Sequence, residues 1–122
     1  MSVYTSPPLV ASLDINIAAG NTTGTIIAAP GAGIRIRVVG GQCYINRAST
    51  ASVNLFLRNG AAGTIFWQHN GCIMAGSPGS DVIIPYPGFP LSDNTLLQGE
   101  TNNGSAASSN AKFLVYYHLE QI

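Results

Sequence analysis

The sequence predicts an all-β chain, an antiparallel β-sandwich that is jelly-roll-like and built from about eight or nine short strands. Three observations lead to that class. Apolar residues recur with a period of two, the spacing that places alternate side chains on one face of a strand. Turn-forming residues punctuate these runs: 14 glycines and 7 prolines in 122 residues leave little room for a long helix. Finally, no window of helical length repeats apolar residues at the i, i+3, i+4, i+7 spacing of an amphipathic helix.

The elements follow in order. Residues 1–8 read as an extended arm, because Pro7-Pro8 cannot enter a helix and favours a polyproline-like path. From residue 13, Leu13, Ile15 and Ile17 alternate with Ser12, Asp14 and Asn16. A turn at residues 18–21 leads to a short strand over 23–28, and Pro30-Gly31-Ala32-Gly33 breaks the chain again. Ile34, Ile36 and Val38 then form one strand face and Arg35 and Arg37 the other. Gly40-Gly41 predicts a bulge or bend, with the strand continuing over 42–46. After a small-residue turn at 48–52, Val53, Leu55 and Leu57 face inward and Asn54, Phe56 and Arg58 outward. Asn59-Gly60 opens a hairpin loop lengthened by Ala61-Ala62-Gly63 before a strand over 64–68, and further Asn-Gly turn signals stand at 70–71 and 103–104. Val82-Ile83-Ile84 is a short strand, and the prolines of 85–90 exclude a central one. Residues 95–101 read as a strand, 102–110 as an exposed polar loop, and 112–120 as a last strand apolar on both faces. The organisation expected is an arm over 1–10 and a single sandwich domain over 11–122.

Charge narrows the function. Charged residues make up 8% of the chain and five basic side chains balance five acidic ones, against about 25% charged in an ordinary soluble domain. One lysine and four scattered arginines form no basic stripe, which argues against nucleic acid. No apolar run reaches the roughly 18 residues of a membrane span, and the N-terminus lacks a signal peptide's basic and apolar regions. Synthesis in a host cytoplasm without signal-peptide export is therefore expected. In that setting Cys43 and Cys72 are expected as two reduced, partly buried thiols, and their spacing fits neither zinc nor thioredoxin-like chemistry.

Catalysis finds no support in the residue pattern. His69 sits at a strand end and His118 on the last strand, and no serine lies in a nucleophile elbow. Asp14, Asp81 and Asp93 are isolated, so neither a metal loop nor a cofactor site is expected, and a small-molecule ligand is disfavoured. The outward apolar residues Phe56, Leu114 and Tyr116 instead mark a candidate interface between copies. Val3, Tyr4, Pro7 and Pro8 of the arm, with Arg35 and Arg37, are candidate contacts to a partner surface.

The run Gly33-Ile34-Arg35-Ile36-Arg37-Val38-Val39-Gly40, the later Gly99-Glu100 pair and the closing Phe113-Leu114-Val115-Tyr116-Tyr117-His118 strand resemble small jelly-roll capsid decoration (cement) proteins of tailed bacteriophages. The resemblance implies a non-enzymatic homotrimer on the outer surface of the virion, bound to the major capsid protein. Jelly rolls also serve as knobs of head or tail fibres, which implies the alternative of a receptor- or glycan-binding module with Trp67, Tyr86 and Phe89 as stacking faces. Alkylation of the unfolded chain without reductant is expected to modify both thiols; an intact mass lower by two hydrogens would refute that expectation.

Overall fold

The alternation read from residue 13 begins earlier in the computed structural model, which describes residues 4–17, 21–45, 53–72, 80–102 and 109–122. Strand β1 spans Leu9–Ile17, so Leu9 and Val10 belong to the sandwich and not to the arm. The proline pair just before them hid this start, because Pro7-Pro8 carries no alternation. Then come β2 (Thr22–Ile27), β3 (Ile34–Ile45), β4 (Val53–Asn59), β5 (Thr64–Cys72), β6 (Ser80–Ile83), β7 (Phe89–Pro90), β8 (Leu97–Asn102) and β9 (Ser109–Gln121). Two of the expected turn regions are strand in part. Asn70-Gly71 lies inside β5, and Asn102, Ser109 and Asn110 extend the strands flanking the polar loop. The 48–52 turn, Asn103-Gly104 and Val3 lie outside the described residues.

Pairing is nested. β1 pairs with β9, β2 with β8, β3 with β6 and β4 with β5, all antiparallel. The innermost pair, β4–β5, is a hairpin in whose loop Gly60 (φ 93°) takes the left-handed conformation that the Asn59-Gly60 signal predicts, while the second left-handed residue is Ala62 (φ 54°) and not Asn59. Rolling up this ladder adds two further contacts, β9 with β3 and β8 with β4. The result is two sheets, ordered β1-β9-β3-β6 and β2-β8-β4-β5, with the short β7 also on β3. That is the strand order of a jelly roll. The expected all-β sandwich is what the chain forms.

The inward faces meet in one core. β3 and β9 supply Ile36, Val38, Phe113 and Val115, and β4 and β8 supply Val53, Leu55, Leu57 and Leu97, all fully buried. The Gly40-Gly41 bulge is present as a register shift between Val38 and Gly40 in the β3–β9 ladder. Gly41 (φ 152°) is required there, since a Cβ would run into the Leu114 carbonyl oxygen of β9.

One polar atom sits in this core without a match. Thr101, on the inner face of β8, is 0% exposed, and its hydroxyl finds no hydrogen-bond partner among the described residues. An unmatched buried hydroxyl destabilises by about 1–3 kcal/mol, and valine has nearly the same shape. Thr101→Val is therefore expected to stabilise the fold by about 1 kcal/mol, seen as a higher urea midpoint at unchanged slope. A lower midpoint would show that the hydroxyl is satisfied.

Candidate interaction surface

Strand β9 dictates what the first sheet shows to solvent. Phe113 and Val115 are in the core, so period-two alternation turns Leu114, Tyr116 and His118 to the outer face. Register then fixes their neighbours. Val10 of β1 stands opposite Tyr116, Tyr116 opposite Gly40 of β3, and Gly40 opposite Ile83 of β6. These four residues form one line across the sheet. Val10 is 62%, Tyr116 43% and Ile83 79% exposed. Gly40 leaves a gap in the line, and the Tyr116 ring lies 4.0 Å from the position a Cβ would take there. Val39, pushed out at the bulge, and the fully exposed Tyr86 enlarge the apolar area. Single exposed apolar side chains are ordinary, whereas three aligned across one sheet face, with Val39 and Tyr86 beside them, make this the candidate contact surface.

Polar residues border the row on both sides. One step along β9, half-buried Leu114 stands between Ser12 and Gln42. One step further, Lys112 meets Asp14 of β1 at 3.6 Å. On the other side lies His118, whose Nδ1 is 2.9 Å from the Ser6 carbonyl oxygen. A carbonyl can only accept, so Nδ1 carries the proton and, in the neutral ring, Nε2 is left as an acceptor. His118 also borders an open groove of about 330 Å³ with Val39, Ile84, Tyr86, Pro87 and Gly88.

Beyond His118, Arg35 and Arg37 converge on one carboxylate. Glu120 accepts from Arg35 Nε at 2.6 Å, from Arg37 Nη2 at 2.7 Å and from Arg37 Nε at 3.0 Å. Glu120 is 9% exposed. Hydrogen bonding from Arg37, joined by Arg35 and opposed by burial, holds its carboxyl below the usual carboxylate range, while the Arg37 guanidinium is held above its own. Arg35 and Arg37, the expected contacts to a partner surface, thus share one carboxylate within the chain, and the cluster of two guanidiniums and one carboxylate keeps a single positive charge. A similar arrangement explains the Gly99-Glu100 pair. Glu100 is 5% exposed and takes Arg58 Nε at 2.9 Å. Gly99 lets the Phe113 ring approach the β8 backbone, since a Cβ there would lie 3.3 Å from it.

The three residues expected to share an interface do not lie together. Leu114 and Tyr116 are on the outer face of the first sheet. Phe56 points away from the core as its strand alternation requires, but it does so from the second sheet and is only 8% exposed. Alternation gives the face of a residue and not what covers it, so Phe56 is a buried residue and Val10 and Ile83 take its place in the row. Ile83 was legible as one face of Val82-Ile83-Ile84, whereas Val10 was hidden within the supposed arm. The stacking trio also breaks up. Phe89 is stacked on Phe66 with centroids 4.3 Å apart and rings 4° from parallel, and Trp67 packs against the core, leaving Tyr86 alone in solvent.

Asp93, isolated in sequence, accepts a hydrogen bond from Gly33 N at 2.8 Å and so fastens the turn before β3. Among the described residues no group of three or more His, Cys, Asp and Glu side chains is placed to hold a metal ion. Nor is any helix there long and apolar enough to cross a membrane.

No family model matches the sequence, and no curated protein matches it either. The fold is shared. A protein of Bacillus endospore appendages, described as a novel family of disulfide-linked pili, superposes with a TM-score of 0.53 at 16% identity, covering 97% of this chain and 89% of that one. A chain from infectious bursal disease virus, Gx strain, gives a TM-score of 0.41 at 14% identity over 96% of this chain and 33% of that one. At such identities the pilus protein speaks to the fold alone.

The Glu120 cluster yields a prediction with a definite sign. A carboxylate held low in the folded state contributes stability above its unfolded value, about 4.3, and that contribution is lost as pH falls through the folded value. Glu120→Gln would leave two guanidiniums with a neutral partner. At pH 7 it is expected to lower stability by about 1–3 kcal/mol. In urea unfolding the gap from the wild type should narrow steadily below about pH 4. An equal gap at pH 7 and pH 3 would assign the loss to packing and not to charge.

Proposed function

We propose that this chain is a non-enzymatic structural subunit that works by assembly, with the outer face of the first sheet as its contact surface. The observation that carries the reading is the uncharged row Val10–Tyr116–Gly40–Ile83, in which the side chains of β1, β9 and β6 are exposed on either side of the buried Gly40 of β3. Such a row loses free energy when a second apolar face removes water from it, at roughly 25 cal/mol per Å² of apolar area. The engagement of Arg35, Arg37 and Arg58 by Glu120 and Glu100 agrees, since it leaves shape and apolar contact as the main means of binding on this face.

The finer reading is a homotrimer that decorates and stabilises the outer surface of a phage capsid, with the major capsid protein as its partner. It is supported by the Gly33–Gly40, Gly99-Glu100 and Phe113–His118 segments that resemble decoration proteins. A pilus protein of the same fold gives a further example of a jelly roll used as a building unit. The glycan-binding alternative has less support, because Trp67 and Phe89 are partly buried against the core and Tyr86 alone of the three is fully exposed.

Light scattering coupled to size exclusion is expected to give a trimer, three times the 12.7 kDa chain, at tens of micromolar. Tyr116→Glu places a charge in the row and is expected to shift the mass to that of a monomer while the fold, followed by circular dichroism, persists. A monomeric wild type would overturn the assembly reading. Copies per purified particle then decide the finer one: hundreds mean decoration, and a handful means a fibre knob.

A further inference from the structure

Residues 4–6 are attached to the body by bonds that do not depend on which copy supplies them. They continue past β1 along the edge of β9, where Thr5 bridges Glu120. Ser6 N donates to Leu119 O at 2.7 Å and Gln121 N donates to Tyr4 O at 2.9 Å. Leu119 N donates to Ser6 Oγ at 2.8 Å, and Tyr4 N to Gln121 Oε1 at 3.2 Å. Apolar packing adds little. Tyr4 is 61% exposed, Thr5, Pro7 and Pro8 are exposed, and Ser6 alone is buried. Beneath the segment remains a cavity of about 190 Å³ bordered by Tyr4, Ser6, Ile34 and Leu119.

A pivot separates this piece from β1. Thr5 pairs with Glu120 and Leu9 with Tyr117, so four steps on one strand face three on the other. The slip falls at Pro7-Pro8, where neither residue has an N–H to give to the ladder. Two residues after the pivot comes Val10, the first member of the apolar row. A contact made through the row therefore brings the pivot of one copy close to its neighbour, and five extended residues reach about 16 Å.

We infer that in the assembled protein residues 4–6 of one copy occupy the β9 edge of a neighbouring copy, strand exchanged for strand. The inference rests on self-assembly through the outer face of the first sheet. Exchange re-forms every hydrogen bond named above, so its balance is set by the effective concentrations of own and neighbouring segments. Assembly raises the second toward the first. The pair Tyr4 and Gln121, opposite one another and both exposed, reports which chain supplies the segment.

The test co-expresses a Tyr4→Cys chain with a size-tagged Gln121→Cys chain, each checked for wild-type melting, and oxidises the purified mixture. Expected is a disulfide between the two chains, mapped by mass spectrometry to positions 4 and 121, in material of trimer mass. Trimers in which this link forms only within a Tyr4→Cys, Gln121→Cys double variant would overturn the exchange and leave the assembly reading standing. Monomers with no link between chains would overturn both.

Discussion

The position of β9 between β1 and β3 is the constraint from which the other features follow. It is the longest strand, and both its edges are paired along most of their length. Its parity sends Phe113 and Val115 into the core and Tyr116 outward, and its register lines Tyr116 up with Val10 and Ile83 through Gly40. Its far end holds Glu120 between two arginines and Leu119 against Ser6. A slip of one residue would reverse every one of these assignments. The Gly40-Gly41 bulge, where the Leu114 carbonyl leaves no room for a side chain, fixes the register at the centre of the ladder.

Charge is used here to fasten joints. Among the described residues Arg35, Arg37, Arg58 and Lys112 each meet an acid, on Glu120, Glu100 or Asp14. The pairs cross strands that lie far apart in sequence: β3 with β9, β4 with β8, β1 with β9. Exposed pairs such as Asp14–Lys112 add little stability. The enclosed carboxylates Glu100 and Glu120 matter more, since removing either would leave a guanidinium in a half-buried place without its partner.

Much of this was legible in the sequence because a sandwich strand writes its burial as alternation. Leu13/Ile15, Ile36/Val38 and Val53/Leu55/Leu57 are placed as the period of two requires. Less legible was everything that depends on partners distant in sequence. Cross-strand ion pairs are a natural expectation for Arg35 and Arg37, but the one acid they share, Glu120, is identified only by the β3–β9 register. Phe56 and Tyr116 have the same local pattern, yet one is covered and the other is not. Pro7-Pro8 masks the start of β1, and the Asn70-Gly71 turn signal becomes a register shift within the β4–β5 ladder. Propensity describes a residue's neighbours along the chain, while exposure is decided by neighbours across the sheet.

The same division bears on the proposed assembly of a nearly uncharged chain. With five basic side chains balancing five acidic ones, the protein carries no formal net charge, so like-charge repulsion does not hold copies apart. Polar Ser12, Gln42 and Asn16 keep water on the rest of the first sheet, leaving the Val10–Ile83 row as the place where dewetting is favourable. The proposed association through such a row would be driven by apolar burial, with a negative heat-capacity change and a weak dependence on salt. The direction of approach is then set by shape, by the raised Tyr116 ring over Gly40 and the Tyr86 turn at the rim, and not by electrostatic steering.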